Sequence, residues 1–249
     1  MGATPTTHIL KPVAGDYQRI DIVEQMTMRA AALLGLPVAR STIESFNGIA
    51  TFVVERYDRE YSAGVWHRLH QEDLGQSLSV HPAKKYQRLD GGPGVAEASR
   101  LFRGLGRAPD RAAVAWDFYR GLMFNTVVQG TDAHIKNYSV MLNGDRVRLA
   151  PLYDLATYGP YRRGTEPIYS AMRIGGEYRF DAIGVKQCIE AATQLRLDAD
   201  RAAQYLAELR AGVRCAFETA RDELVQTDRA ASDFATGVLD SVSELPLVD

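Results

Sequence analysis

The chain has 249 residues, 46% of them hydrophobic and 24% charged, with a formal net charge of -2. This composition provides for an apolar core and excludes a disordered or low-complexity polymer. A charge so close to zero gives no electrostatic reason to expect nucleic acid or a membrane surface as partner, because binding to either needs a pronounced basic face.

In chain order, Thr7 to Leu10 reads as a strand leading into Lys11, with Pro12 ending it. Asp21 is placed to cap a helix over 21–34, stopped by Gly35 and Pro37. Strands over 38–46 and 49–57 flank Asn47-Gly48, a pair in which both turn positions tolerate positive φ. A link over 58–69 follows, then short helices over 71–78 and 95–105 separated by the turn-forming Asp90-Gly91-Gly92-Pro93-Gly94. A longer helix is expected over 111–128 and a second hairpin over 139–142 and 147–150. An irregular stretch rich in Tyr, Gly and Arg then runs to about residue 176, and three helices complete the chain, with Asp198 and Asp228 as caps. Apolar runs such as 30–36 are far below membrane-spanning length and no charged segment with an apolar core opens the chain, so the expectation is cytosolic. Cys188 and Cys215 have neither metal-ligand spacing nor a disulfide framework, and are expected to be buried free thiols. Trp66 and Trp116 are expected to pack in the core or between lobes.

The chemistry concentrates in Thr131-Asp132-Ala133-His134-Ile135-Lys136-Asn137 and, one hairpin later, Tyr153-Asp154. A carboxylate, a lysine, a carboxamide and a second carboxylate stand here in the order that phosphoryl transfer from a metal nucleotide requires. Asp132 is placed to direct an acceptor hydroxyl at the γ-phosphate, and Lys136 to neutralise charge developing on the transferred group. Asn137 and Asp154 supply one neutral and one charged oxygen, a set suited to a Mg²⁺ that keeps waters and binds phosphate. An isolated Asp-x-His-x-x-Asn is more often a capped turn; the second carboxylate after a hairpin favours a site. Lys11, at the end of a strand, can meet phosphates as a point charge with Glu24 as its ion-pair partner, although a lysine there is ordinarily just solvated. Glu55-Arg56-Tyr57 reads either as an edge that meets adenine or as a solvated edge strand, and Asp58 with Arg59 as a pair of their own.

Seven segments, in order and across nearly the whole chain, resemble the HipA family of bacterial toxin kinases. They are Gly2-Ala3-Thr4-Pro5-Thr6-Thr7-His8-Ile9-Leu10-Lys11, Val54-Glu55-Arg56-Tyr57-Asp58-Arg59, Leu69-His70-Gln71-Glu72-Asp73, Lys85-Tyr86, Asp90-Gly91-Gly92-Pro93-Gly94, the 131–137 loop, and Leu149-Ala150-Pro151-Leu152-Tyr153-Asp154. The resemblance implies an α+β, two-lobed protein-kinase-like fold that phosphorylates protein Ser/Thr residues using ATP and Mg²⁺. It also implies a DNA-binding, HipB-like antitoxin as partner and aminoacyl-tRNA synthetases among the substrates. It makes Lys11 the nucleotide lysine, supported by Glu24, and Glu55, Arg56 and Tyr57 the adenine edge. His134, Lys136, Asn137, Tyr153 and Asp154 join the nucleotide-binding set, with Asn137 and Asp154 as metal ligands and Asp132 and Lys136 as catalytic residues. Residues 1–65 are expected to form a small β-rich N-lobe and 66–249 a helical C-lobe, with the 58–69 link as hinge.

Family members carry a Gly-rich phosphate loop upstream of the lysine strand, whereas Met1 stands ten residues before Lys11. The N-lobe is therefore expected to lack that loop: another chain, such as a separate N-terminal subdomain protein, supplies it, the start is truncated, or the kinase is a reduced one that binds nucleotide weakly. Three functions remain open: a HipA-like Ser/Thr kinase, a reduced pseudokinase that binds nucleotide or antitoxin, and, less favoured, a phosphohydrolase with Asp132 as nucleophile.

Overall fold

The computed structural model describes residues 5–13, 15 and 17–249; Gly2, Ala3 and Thr4 of the first motif lie outside the described residues. The fold is α+β. It opens with β1 (His8–Pro12), α1 (Ile20–Leu33), β2 (Ser41–Phe46) and β3 (Ile49–Glu55), and the three strands form an antiparallel sheet ordered β1-β3-β2. Asn47 and Gly48 both take positive φ, 52° and 80°, which is what a two-residue hairpin needs to match the twist of its strands. The β1–β3 register sets Lys11 opposite Phe52 and Ile9 opposite Val54, so Ile9 and Lys11 share the sheet face that also carries the buried Phe52 and Val54.

The 58–69 link, expected as hinge, has secondary structure of its own. It folds as a hairpin of β4 (Arg59–Ser62) and β5 (Val65–Arg68) around Ala63 and Gly64, both at positive φ. Trp66, expected in the core, stands 39% exposed on this hairpin against Tyr61, its ring 5.2 Å away, because a two-stranded ribbon has no second layer to bury it. The segment expected as a helix over 71–78 begins instead as β6 (His70–Asp73), and only Leu74–Ser77 turn into α2. β6 pairs with β7 (Ser139–Asn143), and β7 with β8 (Arg146–Leu149). Its pairing partner lies some 70 residues on, beyond the reach of a local periodicity reading. Between them come α3 (Gln87–Asp90), α4 (Val95–Gly104) and α5 (Ala108–Val127).

The irregular stretch after Asp154 contains a further hairpin, β9 (Tyr169–Ile174) with β10 (Glu177–Arg179), turning at Gly175 and Gly176. The last three helices are α6 (Val185–Gln194), α7 (Ala199–Thr227) and α8 (Ser232–Ser243). Asp198 caps α7 by accepting from the Arg201 amide at 2.8 Å. Asp21 does not cap α1. Arg19 occupies that position at φ 51°, and Asp21, buried in the first turn, takes both guanidinium contacts of Arg19 at 3.1 and 2.9 Å. A charge-assisted fork is stronger than a single amide cap.

The core is built around α5, whose Phe118 meets Phe102 of α4 and Tyr138 edge-on, with ring centroids 5.3 and 4.8 Å apart. Cys188 is buried as expected and its thiol is pushed up to about 12 by desolvation, whereas Cys215 is exposed because it falls on the outer side of α7. No helix among the described residues is long and apolar enough to cross a membrane. One tertiary connection positions the site: Val38 bridges Leu152 in parallel, with the Ala39 amide donating to Leu152 O and the Leu152 amide to Pro37 O, both at 2.8 Å. The segment carrying Tyr153 and Asp154 is thereby fastened beside the small sheet that carries Lys11.

Candidate active site

A cleft of about 370 Å³ opens between the β1-β3-β2 sheet and the β6-β7-β8 sheet. Ile9, Ala39 and Val54 give it an apolar wall, Tyr57 and Tyr153 stack across it with centroids 5.7 Å apart, and Lys11, Asp73, Lys136 and Asp154 supply its charge. Such a site combines an apolar slot with a few convergent polar groups, as small-molecule sites do.

Lys11 is the centre of the charged end. Its ammonium donates to Glu24 of α1 at 2.8 Å and makes a short contact with the Asp154 carboxylate. Desolvation favours the neutral amine, but the two carboxylates override it and hold the lysine above its ordinary pKa, so it is charged throughout the physiological range. Burial pushes the Glu24 carboxyl up, with Lys11 opposing that shift. Asp154 adopts φ 59°, a left-handed conformation that Asp tolerates better than most residues. Asn137 is buried; its amide nitrogen donates to Asp132 O at 3.0 Å and lies 3.5 Å from Asp154 Oδ2, and its oxygen accepts no hydrogen bond from the described residues.

The chain belongs to the HipA-like C-terminal domain family, which matches residues 1–217. It is 41% identical over 171 residues to "Putative kinase Y4mE" of Sinorhizobium fredii, covering 68% of this chain and 40% of that protein. It is 32% identical over 186 residues to the serine/threonine-protein kinase toxin HipA of Shewanella oneidensis, covering 71% of this chain and 42% of the toxin. The chain thus spans about 40% of the length of these curated relatives. Among solved structures, HipA of Shewanella oneidensis in complex with HipB and operator DNA superposes with a TM-score of 0.78 at 25% identity, over 96% of this chain and 58% of that one. The proinflammatory kinase CtkA of Helicobacter pylori, 12% identical with a TM-score of 0.58 over 96% of this chain and 87% of its own, shares the fold. The architecture is that of HipA and of a protein kinase.

On this HipA-like frame, Lys11, Glu55, Arg56, Tyr57, Lys136, Tyr153 and Asp154 line one cleft, and Glu24 and Asn137 join it through Lys11 and Asp154. Asp132 and His134 do not line it; they sit beyond Asn137 on the 131–137 loop. Asp132 is exposed and its carboxylate accepts from the Tyr86 hydroxyl in a short contact. His134 is buried edge-on against Tyr86, its Nδ1 without a partner among the described residues, and desolvation lowers its pKa. Lys136 is paired, donating to Asp73 at 2.8 Å.

The Glu55 amide is spent on Arg40 O at 2.8 Å and the Arg56 amide on Thr7 O at 2.9 Å, while the Tyr57 amide makes no hydrogen bond among the described residues. Arg56 turns its guanidinium onto Asp58, which Arg59 also holds. His8 is exposed and pairs with Thr7, and Arg173 is tied to Gly176 O. Sequence reasoning missed Gln71, Asp73 and Ser139 on the cleft wall and Tyr86 on Asp132. The family-like segment Leu69 to Asp73 was the available signal for the first two.

The donors fit a nucleotide-borne metal. Among the described residues no three His, Cys, Asp or Glu side chains converge as a metal cage. One carboxylate and one carboxamide oxygen would suit a Mg²⁺ that takes its remaining ligands from phosphate and water.

Proposed function

We propose that this chain is the catalytic portion of a HipA-like serine/threonine kinase that transfers the γ-phosphate of Mg·ATP to a protein hydroxyl. The observation that carries the reading is the Lys11 ammonium held between Glu24 and Asp154, at the charged end of a cleft whose other end is apolar. Adenine lies between Ile9, Val54 and the Tyr57 ring, facing the free Tyr57 amide, and Lys11 meets the phosphates. Asn137 and Asp154 would hold the Mg²⁺, which would supply charge neutralisation to the phosphate oxygens. Asp132 orients the acceptor hydroxyl, and Lys136, held by Asp73, faces the transferred group. Residues 1–65 act as the nucleotide-gripping lobe and 66–249 as the catalytic lobe. The toxin relatives support a cytoplasmic protein with a HipB-like antitoxin partner and a protein substrate, by family resemblance an aminoacyl-tRNA synthetase.

Incubation with γ-labelled ATP, Mg²⁺ and cell lysate tests this. Wild type is expected to label a protein band on Ser or Thr, and Asp132→Ala and Asp154→Asn to abolish it; equal labelling by wild type and Asp132→Ala would overturn the proposal.

A further inference from the structure

Tyr86 stands outside the cleft, yet it is the group that holds Asp132. Its hydroxyl donates to Asp132 Oδ1, and among the described residues the Asp132 carboxylate has no other hydrogen-bond partner. The Asp132 backbone is fixed separately, its carbonyl accepting from Asn137 Nδ2 at 3.0 Å and from the His134 amide at 2.7 Å. Without Tyr86 the carboxylate of an exposed Asp is free to rotate about both its torsions.

The Tyr86 ring has two neighbours of its own. The His134 ring packs against it with centroids 5.2 Å apart, and the Lys85 ammonium lies 4.8 Å from its centre. The Tyr86 carbonyl accepts from the Asp90 amide at 3.0 Å and the Gly92 amide at 3.1 Å, and the Tyr86 amide donates to Asp90 Oδ2 at 3.2 Å. This gives the glycines of 91–94 a specific task. Gly91 takes φ 65°, and a Cβ on Gly92 would fall 2.3 Å from Lys84 O and 3.1 Å from Tyr86 O. The turn closes onto the backbone around Tyr86 only if residue 92 has no side chain.

We infer that Tyr86 is the positioning residue for Asp132: it occupies one carboxylate oxygen and presents the other, Oδ2, to the acceptor hydroxyl. A displaceable plug would need freedom to leave, and Tyr86 is clamped through both its backbone and its ring. The inference rests on the kinase reading above, since it assigns the holder of that reaction's acceptor-orienting group. An off-axis carboxylate is expected to slow transfer without changing nucleotide affinity.

Steady-state transfer by the full chain, with Mg·ATP and a labelled acceptor from lysate, tests this using Tyr86→Phe. The variant keeps the ring and its packing, and its melting temperature is expected to match wild type. The expected result is kcat lowered roughly tenfold, the scale of a lost hydrogen bond to a charged group, with KM for ATP unchanged. Gly92→Ala, which keeps the hydroxyl but displaces the turn, is expected to give the same pattern. Wild-type kcat in both variants, or raised kcat in Tyr86→Phe, overturns the inference and leaves the kinase reading standing. No transfer by wild type overturns both.

Discussion

The Lys11 ammonium and the Asp154 carboxylate, 143 residues apart in sequence, meet across the cleft, and Glu24 completes the triad from α1. Three segments with no local relationship are joined at one charge. Replacing Lys11 with Met keeps length and apolar stem but leaves Glu24, which is 12% exposed, facing Asp154 without a cation. Nucleotide affinity is expected to fall by roughly 10- to 100-fold, the worth of one or two charge-assisted hydrogen bonds. Calorimetry with Mg·ATP measures it, and unchanged affinity would remove Lys11 from the nucleotide site.

Asp154 combines a ligand role with a backbone constraint, and two substitutions separate them. Asn tolerates the left-handed φ of 59°, and the lost ion pair is half-exposed, so Asp154→Asn is expected to cost less than about 1 kcal/mol in stability. Asp154→Val puts a β-branched residue at that φ and is expected to cost about 1–2 kcal/mol more. Both should lose Mg²⁺-dependent nucleotide binding. Denaturant melts read the first difference and calorimetry the second; equal stability of the two variants would count against backbone strain at this position.

Asp58 anchors the strand end that leads from the Tyr57 edge into the exposed hairpin. Burial alone would favour its neutral acid, but Arg56 and Arg59 hold its pKa below the ordinary 3.8. A depressed carboxylate contributes stability that is present above its unfolded pKa and is lost as pH falls through its folded one. Asp58→Asn is therefore expected to destabilise by about 1–3 kcal/mol near neutrality. The gap between the two melting curves should stay constant down to about pH 5 and close below 3.8. A gap that persists unchanged under acid would show that the pair is not the source.

The sequence made legible what depends on local chemistry. Asn47-Gly48 announces its hairpin because few pairs tolerate two positive φ values, and Asp198 announces the start of α7 because a carboxylate satisfies the orphan amides there. The Asp132, Asn137 and Asp154 order is legible for a similar reason: phosphoryl transfer constrains residue type and spacing together. What was not legible depends on distant partners. β6 looks helical until β7 pairs with it, Asp21 looks like a cap until Arg19 claims it, and Trp66 looks like a core residue until its ribbon is seen to have nothing beneath it. Tyr86 stood in a family-like segment but without a role, because that role is defined by Asp132, 46 residues away.

Asp73 depends on distant partners in the same way. It ends β6 opposite Ser139, caps α2 by accepting from the Gln76 amide at 2.9 Å while the Asp73 amide donates to Gln76 Oε1 at 3.0 Å, and holds Lys136 at 2.8 Å. A Cβ on Gly75 would lie 2.9 Å from Asp73 Oδ1 and 3.0 Å from Lys136 Cγ, so cap and lysine are packed as one unit. Asn is as good a helix cap as Asp but cannot form the ion pair. Asp73→Ala is expected to lose about 1 kcal/mol of stability for the cap, and Asp73→Asn only a few tenths. If Asp73 acts on Lys136 through charge, both variants should lower the transfer rate equally despite unequal stabilities. Thermal melts and single-turnover labelling, run side by side, decide it. A transfer rate that tracks stability across the pair would show that Asp73 serves the helix and not the lysine.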